Sequence, residues 1–73
     1  MDSKTVEVAI VFMLTEMRNR LDQAAGIANA AQVCADGGNV RKAIEIVLDV
    51  EQLTYDSANL LNAANTLNLI SRE

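Results

Sequence analysis

Asp36-Gly37-Gly38-Asn39 is the stretch on which the fold of this 73-residue chain turns. It holds two of the three glycines in a sequence without proline, so it is the one place where turn residues concentrate. Glycine takes the left-handed conformation that ends a helix, and an Asn side chain caps the next one. The stretch therefore predicts a stop and a restart between two helices.

Working outward, the chain from about Lys4 to Ala35 is dominated by residues of moderate to good helix propensity, and Asp2 and Ser3 before it are N-cap types. Ile10, Leu14, Met17, Leu21, Ala24, Ala28, Ala31 and Ala35 recur in alternating steps of four and three, which keeps them on one stripe. That stripe is bulky at first and then nearly all alanine, so its second half should approach a neighbour more closely. Gly26 lies in this thin half and is a candidate for a local bend. After the turn, Ala43, Ile46, Val50, Leu53, Ser57, Leu60, Ala64 and Leu67 repeat the pattern. The expectation is an all-α, antiparallel two-helix hairpin in a single domain, residues 1–73, with helices over about 4–35 and 40–71 and a turn at 36–39. Each helix would extend about 45 Å at 1.5 Å per residue. Glu16 with Arg20 and Arg41 with Glu45 have the spacing of helix-surface ion pairs.

Such a hairpin cannot hide all of its apolar residues. They make up 51% of the chain, with aromatics only 3%, and Val8 to Leu14 point all around the first helix, Val11 and Phe12 included. On the second helix Leu48, Tyr55, Asn62 and Leu69 form a further line at seven-residue intervals, outside the main stripe. An apolar surplus on a chain this short marks an interaction surface. A four-helix bundle made by a two-fold homodimer is the simplest cover, and Val8, Ile10, Val11, Phe12, Leu14, Met17, Leu48, Tyr55 and Leu69 are the expected interface.

Several chemistries are disfavoured. The chain has no histidine, which removes the usual general base, His-dependent triads and His-containing zinc sites. Glu45, Asp49 and Asp56 share one side of the second helix and could face a divalent cation, but the plainer reading is an exposed acidic flank. No metal, cofactor or catalytic residue is expected. A net charge of −4 with scattered Lys and Arg argues against nucleic acid, as does the shortage of aromatic stacking platforms. Val8–Leu14 is too short to span a bilayer, and the mixed charges before it do not suit a signal peptide. The single Cys34 has no internal partner and fits a reducing cytoplasm. Next to Asp36 it reads as a small hydrophobe rather than an activated thiol. Asn59, Asn62, Asn65 and Asn68 recur every third residue, so they rotate around the helix instead of forming a ladder.

Ala31, the Gly38-Asn39 turn, Ala43, Val47 and Val50, within residues 25–53, resemble one tetratricopeptide unit. The family's aromatic positions are occupied by Ala, Cys and Val, its closing proline is absent, and no second copy follows. The overall plan is also similar to short RNA-binding hairpins that dimerise into four-helix bundles; that resemblance implies shape, since the basic face their function uses is missing. The functional expectation is a small non-enzymatic interaction or regulatory protein, binding itself and a helix of another protein. The alternative is a module holding a small apolar molecule near Val11, Phe12, Met13 and Met17.

Overall fold

A computed structural model describes residues 2–72 of the chain. They form α1 (Ser3–Asp36), α2 (Val40–Val47) and α3 (Asp49–Ser71), with no strand among the described residues. The helix α1 packs along both α2 and α3, which follow one another as two segments of a bent second helix. The result is the expected antiparallel hairpin, a rod 54 Å long and 14 by 11 Å across.

Both helix starts are built as the residue types require. The Asp2 carboxylate accepts a hydrogen bond from the Lys4 backbone N–H at 3.4 Å and another from the Thr5 hydroxyl at 3.3 Å. The Asn39 side chain accepts from the Lys42 N–H at 3.1 Å, satisfying one of the donors that a helix N-terminus leaves open. Between them α1 closes one residue later than its sequence suggests, taking in Asp36. The Asn39 N–H donates to the Cys34 carbonyl at 3.1 Å and the Gly38 N–H to the Ala35 carbonyl at 2.9 Å. This pair of bonds is the Schellman arrangement, which needs a left-handed residue, and Gly38 supplies it with φ 96°.

The bend falls elsewhere than the glycine content suggests. α1 runs unbroken through Gly26, whereas the second helix is interrupted at Leu48, where the Glu51 N–H reaches back only three residues to the Leu48 carbonyl at 3.2 Å. The chain enters this tighter turn through Ile44, Ile46 and Val47, whose β-branched side chains lose rotamer freedom in a helix. It leaves with Asp49 and Glu51 in the first turn of α3, where carboxylates complement the partial positive charge of a helix start.

The seam between the helices is continuous across that break. On the second helix Ala43, Ile46, Val50, Leu53, Ser57, Leu60, Ala64 and Leu67 are all buried or half-buried, as their spacing predicts. Ser57, a buried polar residue, donates its hydroxyl to the Leu53 carbonyl at 2.8 Å. On α1 the expected stripe needs correction. Ile10, Met17, Ala24, Ala31 and Ala35 do face the partner helix, but Leu14, Leu21 and Ala28 turn outward, and Val6, Met13, Arg20, Ile27 and Cys34 take the remaining seam positions. The seam follows the row three residues after each of Ile10, Met17, Ala24 and Ala31, and of the row four residues after only Ala35 joins it. Asn59, Asn62, Asn65 and Asn68 are all exposed.

Candidate interaction surface

Full burial in this hairpin falls almost entirely on small residues. Val6, Ala24, Ala31, Ala43 and Ala64 are its buried hydrophobics, and Val6, at 1% exposure, is the only large side chain fully enclosed among the described residues. The larger apolar side chains lie mostly outside. Phe12 and Tyr55 are each 63% exposed, and Val8, Val11, Leu14, Leu21, Ile44, Leu48, Leu61 and Leu69 are exposed as well.

Of the nine residues expected at an interface, seven are therefore on the outside: Val8, Val11, Phe12, Leu14, Leu48, Tyr55 and Leu69. Ile10 and Met17 are half-buried and are spent on the hairpin's own seam. Leu48, Tyr55, Asn62 and Leu69 keep their seven-residue spacing along the exposed back of the second helix. Sequence reasoning passed over Leu61 and Ile44, and it assigned Leu21 to the seam. The signal that finds them is their place one helical row beyond the seam residues, readable only once the seam is fixed.

The four residues considered for a small apolar ligand do not converge. Met13 and Met17 turn into the seam, while Val11 and Phe12 are exposed. A shallow hollow of about 290 Å³ lies on one face of α1, lined by Lys4, Glu7, Val8 and Val11 alone, and no second helix closes it. The acidic flank is also dispersed. The Asp56 carboxylate lies 3.9 Å from the Arg20 guanidinium across the seam and accepts from the Gln52 amide at 2.9 Å, and Glu45 meets Lys42 at 3.6 Å. The pairing of Glu45 with Arg41 is thus replaced by one with Lys42, its neighbour at three residues instead of four. Among the described residues no three Asp, Glu or Cys side chains gather where a metal ion could be held.

Arg20 organises the polar side of the seam. Its guanidinium binds the Glu16 carboxylate at 2.8 Å, as the spacing predicts, and donates to the Glu16 carbonyl at 3.0 Å. No family model matches. Nor does any curated protein or any solved structure prove similar to the chain. The tetratricopeptide-like spacing therefore goes no further than a helical hairpin, and the reading of this surface rests on its own chemistry. No helix among the described residues is long and apolar enough to cross a membrane.

The area of the rod gives that chemistry a scale. Its accessible surface is 5364 Å², whereas a compact folded monomer of 7.9 kDa exposes about 4,400 Å². The surplus, about 950 Å², compares with the roughly 800 Å² that each partner buries in a standard protein–protein interface.

Proposed function

We propose that this chain is a non-enzymatic interaction or regulatory protein that acts as a homo-oligomeric helical bundle, in its simplest form a two-fold homodimer, with outward apolar stripes left to hold a helix of another protein. The observation that carries the reading is the pattern of burial: alanines make up most of the buried core while Phe12, Tyr55 and many of the leucines and valines lie outside, on a rod with about one partner's worth of surplus area. Two helices make one seam and no interior, so large side chains at other positions around each helix stay in water unless further helices arrive.

A lack of catalytic equipment supports the non-enzymatic part. The sequence contains no histidine, and its acids are paired with cations or dispersed along the rod instead of converging on a cleft. A cytoplasmic location belongs to the same proposal, since a lone thiol with no disulfide partner suits a reducing compartment.

Sedimentation equilibrium tests it. The expected outcome is a mass of two or more chains at micromolar concentration, with an unfolding midpoint that rises with protein concentration. A well-folded, monodisperse monomer under those conditions would rule the proposal out.

A further inference from the structure

Two neighbouring rows of α1 could each complete the seam, and the hairpin uses the one that contains a charge. Val6, Met13, Arg20, Ile27 and Cys34 form the row in use, and Leu14, Leu21, Ala28 and Ala35 form the row beside it. Ile10, Met17, Ala24 and Ala31 are common to a seam made with either. Successive residues of a helix are about 100° apart, so turning α1 by about half that angle exchanges one row for the other while the shared row keeps its contact. The second row already stands at the threshold. Leu14 and Leu21, 45% and 44% exposed, are the least exposed of the outward large apolar side chains among the described residues, and at the turn end Cys34 and Ala35 are both half-buried.

Packing pulls in both directions. In the exchange Leu14 replaces Met13 at similar volume and Leu21 replaces the charged Arg20, while Ala28 replaces Ile27 and Glu7 replaces Val6 at the open tip. The charge of Arg20 therefore tips the choice. Its guanidinium meets Glu16 at 2.8 Å and lies 3.9 Å from Asp56, and of the ion pairs among the described residues this last one alone links the two helices. Gly37 and Gly38 join α1 to the second helix, and a glycine pair accepts the changed dihedrals that a turned α1 would impose.

We propose that the Glu16–Arg20–Asp56 network is an orientation lock: it holds α1 with the Arg20 row inward, and its release turns α1 so that Leu14, Leu21 and Ala28 enter the seam while Arg20 and Ile27 leave it. The locked hairpin presents Leu14 and Leu21 on its surface. The released one withdraws them and offers a cation in their place, so the lock sets which surface a partner meets. The inference goes beyond the proposed bundle and concerns the single hairpin, so a monomeric chain leaves it standing.

Thiol labelling tests it. In a Cys34→Ser background, Ile27→Cys and Ala28→Cys each place one thiol on one of the two rows, and their rates with N-ethylmaleimide are compared at one protein concentration, with far-UV circular dichroism to follow helicity. With Arg20 in place the thiol at position 28 is expected to react at least about 5-fold faster than the one at 27, and Arg20→Glu, which sets a third carboxylate beside Glu16 and Asp56, should reverse the order by a similar factor. Reversing all three charges, Glu16→Arg/Arg20→Glu/Asp56→Arg, should restore the first order. The milder pair Glu16→Gln/Asp56→Asn leaves Arg20 without counter-charges and should lower the ratio of the two rates by at least about 3-fold with helicity intact. In a helical Arg20→Glu chain, an unchanged order, or both thiols accelerated alike as the helices part, overturns the inference. If that chain loses its helicity, the neutral pair decides, and a ratio that does not fall overturns it.

Discussion

The turn half of the rod and its open half solve the packing problem differently. Towards the turn, Ala24, Ala31 and Ala43 are the buried centre of the seam, with Ile27 and Ile46 half-buried beside them, and alanine lets two backbones approach closely. Towards the open end Val6 and Ala64 are buried, and the rest of the seam passes to Ile10, Met13, Leu60 and Leu67, which remain half-exposed. Small residues complete a two-helix contact because their bulk ends where the neighbouring backbone begins. Large ones overhang it, and their outer surfaces need a third and a fourth helix. The contrast teaches that the closed end holds the hairpin together while the open end and the outer rows await company.

Enlarging the seam where it is thinnest would break the contrast most strongly. Ala31→Leu, at a position 6% exposed, is expected to destabilise the fold by about 1–3 kcal/mol through overpacking, whereas Ala30→Leu, next to it but exposed, should stay within about 0.5 kcal/mol of the parent. Urea unfolding at one fixed protein concentration reads the difference, and equal losses would mean that the alanine seam is not a close contact. Next in size is a comparison of glycines. Gly38→Ala forces a Cβ into the left-handed region at φ 96° and should lose about 1–2 kcal/mol. Gly26→Ala, in a helix interior where a Cβ meets nothing within 4 Å, should gain up to about 1 kcal/mol. Thermal midpoints moving in the same direction for both would contradict the turn geometry. The smallest effect belongs to the ionic flank: Asp56→Asn is expected to cost less than about 0.5 kcal/mol, since Arg20 and Asp56 side chains are 34% and 37% exposed at 3.9 Å. The loss should shrink further with added salt, as unfolding at low and high ionic strength would show.

The turn, both N-caps and the whole seam of the second helix were legible in the sequence because each depends on local chemistry or on an unambiguous apolar period. On α1 two rows competed. Leu14, Leu21, Ala28 and Ala35 form an uninterrupted apolar line, while Met13, Arg20, Ile27 and Cys34 contain a charge, so periodicity alone favours the first. The structure mostly uses the second because Arg20 reaches the Glu16 carbonyl and carboxylate and, across the seam, Asp56, a long-range pairing that no single-helix pattern encodes. The bend at Leu48 was hidden for a similar reason. It is made without glycine or proline, by a crowded β-branched run meeting a new helix start. The outward placement of Phe12, Leu48, Tyr55 and Leu69 was foreseen from surplus alone, but Leu61 and Ile44 became visible only after the seam was known.

Cys34 sits at the closed end, half-covered by the seam, with its Sγ 3.5 Å from the Asn39 carbonyl oxygen across the turn. Being the sole thiol in the chain, it makes the hairpin its own gauge: each excursion that parts the helices near the turn bares the half-covered thiol further to alkylation, while fraying at the opposite tip leaves its cover unchanged.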